Sequence, residues 1–169
     1  ILIGGSGPRK TLRTVARYGD AWNTSGTLEQ LAERNRILAE HCADVGRDPS
    51  TIERTASFPM VIRDLRAVAE AVFTAQLAHN GLHEFPDTPL ALGSPAQIAD
   101  LIRPYRDLGF TTVIARMPAP YDRETIDRLG ELRERLRERV MMPARSRDDR
   151  FRMPIDRAFS IAGVGTVVT

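Results

Sequence analysis

The chain has 169 residues, 42% hydrophobic and 27% charged, a balance that excludes wholesale disorder and fits one ordinary globular domain. Its 24 basic and 22 acidic residues leave a formal charge of +2; five of the former and three of the latter fall in 145–169, so the preceding residues are neutral and do not suggest a phosphate-backbone binder. No apolar run approaches a membrane span and no stretch has the pattern of a signal peptide; the single cysteine, Cys42, excludes an internal disulfide and fits a reducing cytoplasm.

In chain order, Ile1–Gly4 reads as a short buried strand, followed by a glycine turn with Pro8 at a first helical position. Thr11–Tyr18 reads as a helix with Leu12, Val15 and Ala16 on its apolar face, and Asp20–Thr24 as a second strand. Thr27 and Gln30 have capping-box spacing at the start of the next helix, whose stripe is Leu31, Leu38, Cys42 and Val45 and whose stop is Gly46. Ile52–Ile62, rich in β-branched and aromatic residues, reads as a third strand with Pro59 as a weak point. Leu65–Ala78 reads as a helix and 80–93 as a loop. Ser94, Pro95 and Gln97 open a further helix with Ile98, Leu101, Ile102, Tyr105 and Leu108 inward. Phe110–Met117 is the fourth strand, and Thr125–Val140 an amphipathic helix burying Leu129, Leu132, Leu136 and Val140, with Glu124–Arg128 and Glu131–Arg135 as exposed pairs.

Four strands each followed by a helix predict a parallel α/β sheet. A closed (β/α)₈ barrel needs eight such units, so four amount to half of one; an open doubly wound sheet is the competing arrangement. Both ends of the chain are strand-like, which reads as a fragment. After Pro143 the character changes: 144–152 is a charged linker, and 153–169 reads as two short strands, near Ile155–Ile161 and Gly165–Thr169.

The chemistry-bearing segment is Gly4-Gly5-Ser6-Gly7, between a strand and a helix. Glycines there let backbone approach a ligand, a helix start offers free N–H groups to an anion, and Ser6, Arg9 and Lys10 could reinforce the site. A plain tight βα turn uses glycine too, and the Lys-Ser/Thr ending of a P-loop is absent. Thr24-Ser25-Gly26 closes the next strand; in adjacent parallel strands the two loops would face one pocket, with Trp22 in the core.

The run ILIGGSGPRKTLRTVARYGDAWNTSG, with HCADVGRDPSTIERT and GSPAQIADLIRPYRDLGFTTVIARMPAP in the same order, resembles the luciferase-like monooxygenase family, especially its F420-dependent oxidoreductases, over residues 1–140. The resemblance implies the C-terminal half of a TIM-like barrel and a cofactor, coenzyme F420 or alternatively FMN. Its phosphate would lie on Gly4, Gly5, Ser6, Gly7, Thr24, Ser25 and Gly26. It also implies hydride transfer to a small organic substrate and a homodimeric parent enzyme. The groups beside the redox ring would come from the first barrel strands, which this chain lacks, so it is expected to be inactive alone.

Other residues carry weaker signals. His41 and Cys42 are helix neighbours that diverge, and Cys42 lies on an apolar stripe. His79 and His83, with Glu84, have loose metal-ligand spacing interrupted by Gly81; no metal site is expected. Arg116 ends the fourth strand, the edge at which barrel active sites lie, and either meets substrate or cofactor or forms a structural ion pair. The tail, Phe151-Arg152-Met153-Pro154-Ile155-Asp156-Arg157-Ala158-Phe159-Ser160-Ile161 and then Gly163–Thr169, resembles the opening of the second, β-barrel domain of translational GTPases, most closely the selenocysteine-specific elongation factor. That implies either a fragment of an RNA- and ribosome-binding factor or a junction of two unrelated pieces without a function as a unit. The main body is expected to bind neither nucleic acid nor membrane.

Overall fold

The computed structural model describes residues 1–83 and 88–137, together with the backbone of two strands at 158–161 and 165–168. The element order is β1 (Leu2–Gly4), α1 (Thr11–Tyr18), β2 (Ala21–Thr24), α2 (Leu28–Asp44), a 3₁₀ turn (Pro49–Thr51), β3 (Glu53–Ile62), α3 (Arg66–His79), β4 (Ala91–Gly93), α4 (Pro95–Asp107), β5 (Thr112–Met117), α5 (Arg123–Arg137), β6 (Ala158–Ile161) and β7 (Gly165–Val168). Strand–helix alternation and parallel pairing of the body strands establish the α/β fold.

The body has five strands where the sequence reading counts four. Ala91–Gly93, read as loop, is a buried three-residue strand that pairs in parallel with Met60–Ile62. Three residues between Pro89 and Gly93 are too few to show a strand period, and only the partner strand reveals them. Pro59 does not interrupt β3. It falls between the residues paired with β2 (53–56) and those paired with β4 (60–62), where a missing N–H costs no ladder bond to either. Pro8 is not a first helical residue: α1 begins at Thr11 with Lys10 as N-cap.

Two compact units divide the described residues. The first comprises 1–58, 88–89 and 104–114. Its strand order is β1-β2-β3-β5, with Leu2 opposite Ala21 and Ala21 opposite Glu53, and Thr111 N–H donating to Arg54 O at 3.0 Å. Leu12, Val15 and Ala16 of α1, Leu31, Leu38 and Cys42 of α2, and Trp22, Ala56, Phe58 and Phe110 are buried together with Tyr105. Trp22 and Phe110 meet at 5.8 Å between ring centroids, and Phe58 meets Tyr105 edge-on at 4.9 Å. Removing each such side chain from water contributes about 1.5–3 kcal/mol. Val45, assigned to the α2 stripe, is 37% exposed, because α2 has already ended and Gly46 has turned the chain away at φ +66°.

The second unit comprises 59–83, 90–103, 115–137 and the strands β6 and β7. Its core gathers Val61, Ala69, Phe73, Leu77 and Leu92. α5 begins at Arg123, two residues before the expected start; Leu132 is buried, whereas Leu129 and Leu136 are half-buried. Val140 and the linker 144–152 lie outside the described residues. β6 and β7 form an antiparallel hairpin with Phe159 opposite Val167, and β7 continues antiparallel onto β5, with Arg116 opposite Val167 and Met117 opposite Thr166. Among the described residues, no helix is long and apolar enough to cross a membrane.

Candidate functional site

β1 and β2 run parallel with Gly4 opposite Asn23, so the turn after β1 and the loop after β2 leave the same carboxyl edge of the sheet. Gly4, Gly5, Ser6 and Gly7 are thereby brought beside Thr24, Ser25 and Gly26. Two hydrogen bonds clamp the pair of loops: Gly5 N–H donates to Asn23 O at 2.9 Å, and the Trp22 indole N–H donates to Gly5 O at 2.7 Å. Trp22 is therefore a core residue, as expected, with a second role that the sequence does not announce. Its ring is fully buried, and its one polar atom reaches the glycine turn.

The glycines answer first to neighbouring protein. Gly5 has φ +121°, and a Cβ there would sit 3.2 Å from the Thr11 methyl. Gly26 has φ +153°, and a Cβ would run into Gln30 Oε1 at 2.6 Å and Arg34 Nη1 at 2.9 Å. A side chain at Gly4, by contrast, would meet open space. The polar groups of this edge are the other part of its geometry. The carbonyls of this edge are taken: Gly5 O by Trp22, Gly7 O by Leu12 N–H at 3.1 Å, Ser25 O by Arg34 at 2.7 Å and Gly26 O by the Tyr105 hydroxyl at 3.1 Å. In a trans peptide the N–H points opposite the carbonyl, so these bonds turn the Ser6 and Gly26 N–H groups the other way. Among the described residues neither of those N–H groups donates a hydrogen bond, nor does the hydroxyl of Ser6 or of Ser25. Unpaired N–H groups ahead of a helix are the kind of donor that an anion takes up.

Thr24 stands apart from this set. It is buried, with its hydroxyl 3.5 Å from Arg34 Nη1 and its carbonyl accepting from Ser57 Oγ at 3.3 Å. The Thr27–Gln30 capping box forms as expected, and Gln30 Oε1 accepts from Thr27 N–H at 3.0 Å. Burial, and then the Glu29 charge, raise the pKa of Tyr105, which keeps its phenol a donor to Gly26 O.

Elsewhere, His41 Nε2 lies 2.8 Å from Pro8 O and steadies the turn from behind. Cys42 is wholly buried, and burial pushes its thiol pKa up, the environment of a packing residue. His79 ends α3, whereas His83 lines a surface groove of about 440 Å³ with Arg66, Glu70 and Leu90. Glu84 lies outside the described residues, among which no group of three His, Cys, Asp or Glu is gathered for a metal. Arg116 sits in β5 opposite Val167, half-buried, and burial lowers its pKa below the usual arginine value.

A family model described as luciferase-like monooxygenase matches residues 1–89, the stretch that contains both loops and β1 to α3. The chain belongs to the luciferase-like monooxygenase family. Solved structures agree on the fold. A riboflavin lyase superposes with a TM-score of 0.63 at 18% identity over 82% of this chain and 42% of its own. A long-chain alkane monooxygenase gives 0.62 at 14% identity over 86% and 42%. A coenzyme F420-dependent tetrahydromethanopterin reductase from Methanopyrus kandleri gives 0.55 at 15% identity over 70% and 44%. This member of the family thus spans less than half the length of the solved structures it resembles, as part of a (β/α) barrel does. No curated protein matches the chain.

Proposed function

We propose that this luciferase-like chain carries the phosphate anchor of a flavin- or deazaflavin-dependent oxidoreductase. The observation that carries the reading is the pair of adjacent loops whose Ser6 and Gly26 N–H groups and Ser6 and Ser25 hydroxyls are unengaged while the neighbouring carbonyls are held back. Coenzyme F420 and FMN both present a phosphate to such a set. The F420-dependent reductase and the riboflavin lyase, whose structure holds a modified FMN, make either cofactor reasonable. When bound, such a ring supplies a hydride donor or acceptor. The residues of this chain bind and orient: Ser6, Ser25 and Gly26 take the phosphate, Gly5 and Gly7 shape the turn, and Trp22 fixes one loop to the other. Transfer of hydride to a small organic substrate, with Arg116 as a substrate contact, and a homodimeric assembly belong to the complete parent enzyme in this reading.

Amide chemical shifts of the ¹⁵N-labelled chain test the anchor. FMN and F420, added separately, are expected to move the Ser6, Gly7, Ser25 and Gly26 signals, and riboflavin, which lacks the phosphate, to leave them in place. Equal shifts with FMN and riboflavin, or shifts confined to other residues, would overturn the proposal.

A further inference from the structure

Resting on that reading, we propose that Arg34, assisted by Tyr105, is a positioning residue for the phosphate loop: it shapes the anion site by holding backbone carbonyls away from it. Arg34 lies on the second turn of α2, outside both loops. Its Nη1 donates to Ser25 O at 2.7 Å and approaches Thr24 Oγ1 at 3.5 Å. Tyr105 of α4 donates its hydroxyl to Gly26 O at 3.1 Å. Two consecutive carbonyl oxygens at the carboxyl end of β2 are thus drawn toward α2 and α4.

A carbonyl oxygen carries partial negative charge, and one turned toward a phosphate would repel it. Planarity of the peptide makes each orientation a choice between presenting C=O and presenting N–H on a given side. By fixing Ser25 O, Arg34 commits the Gly26 N–H to the opposite side, where it has no partner among the described residues. Gly26 is needed for the same contact, since a Cβ there would lie 2.9 Å from Arg34 Nη1 and displace it. The Gln30 side chain occupies the adjoining Thr27 N–H, so the N–H of the buried Gly26 is the donor this arrangement leaves without a partner among the described residues.

The test is the ratio of riboflavin to FMN dissociation constants, measured on the full chain by equilibrium dialysis. In the unmodified chain the ratio exceeds one. Arg34→Ala is expected to weaken FMN about tenfold, the effect of losing one charge-assisted hydrogen bond, and to leave riboflavin unchanged. Arg34→Lys, which keeps a charged donor, should recover part of the ratio, and Tyr105→Phe, which removes one oxygen from a buried ring, should lower it by a smaller factor. The Gly26 amide signal should also move in the ligand-free Arg34→Ala chain. An unmodified chain with no preference for FMN would refute the anchor itself. A preference that survives unchanged in Arg34→Ala and Tyr105→Phe would refute the positioning role while leaving the anchor standing. Equal loss of FMN and riboflavin binding would show a structural effect only, and would also refute it.

Discussion

At the scale of single residues, Trp22 shows how one side chain serves stability and site together. Its ring packs on Phe110 while its indole N–H binds Gly5 O. Trp22→Phe keeps an aromatic ring in place and removes the donor. It should cost about 1 kcal/mol for the lost hydrogen bond, with a further loss for the smaller ring, seen as a lower denaturant midpoint at an unchanged slope. Gly5 and Ser6 amide signals should shift or broaden at the same time, because the turn loses its clamp to β2. A variant with ordinary stability and unmoved amides would show that Trp22 only fills space.

At the scale of elements, the junction between the end of β3 and the start of α5 is held by a buried polar lock. The Arg63 guanidinium donates to Asp122 at 2.8 and 2.9 Å, both side chains are nearly buried, and Glu124 lies 3.1 Å from Arg63 Nε. Thr125, fully buried, accepts from Ile62 N–H at 2.9 Å and donates its own hydroxyl to Asp122. Burial by itself raises the Asp122 carboxyl, but the hydrogen bonds from Arg63 and Thr125 and the Arg63 charge outweigh it and hold the pKa below the ordinary 3.8. A depressed carboxyl contributes stability that is present above the unfolded value and is lost as the pH falls through the folded one. The unfolding midpoint should therefore drop as the pH is lowered beneath about 4. Asp122→Asn should flatten that acid limb and, by leaving Arg63 with only the more exposed Glu124 as charged partner, cost about 2 kcal/mol at neutral pH. An acid limb identical in the variant would assign the acid sensitivity to other carboxylates.

At the scale of the whole molecule, the tail meets the body through an antiparallel pairing of β7 with β5. β6 and β7 pair with each other over four residues, whereas β7 meets β5 over two. Although β6 and β7 fall in the second compact unit, so short a ladder joins them to β5 that we propose a body of about 140 residues and a separable β-type tail. Limited trypsin digestion is expected to cut first after Arg145, Arg147, Arg150 or Arg152 and to leave a resistant fragment of residues 1 to about 140. Equal protection on both sides of that stretch would show that tail and body fold as one, and the division would be wrong.

The alternation of strand and helix, the helix starts at Thr27 and Ser94, and the two glycine-bearing loops are all local features. They depend on periodicity, caps and turn chemistry within a few residues, so the amino-acid order alone determined them. The luciferase-like family was legible for the same reason, because the motifs that carry the resemblance are short runs close together in the chain. What the order could not decide depends on partners distant along it. Ala91–Gly93 becomes a strand because β3 lies beside it, and β7 pairs with β5 across some fifty intervening positions. Trp22, Arg34 and Tyr105 look in the sequence like a core aromatic, a helix-surface cation and another core aromatic. Only the fold aims their polar atoms at Gly5 O, Ser25 O and Gly26 O. A hydrogen bond is directional and short, and whether one donor reaches one carbonyl is settled by the packing of whole elements rather than by residue type.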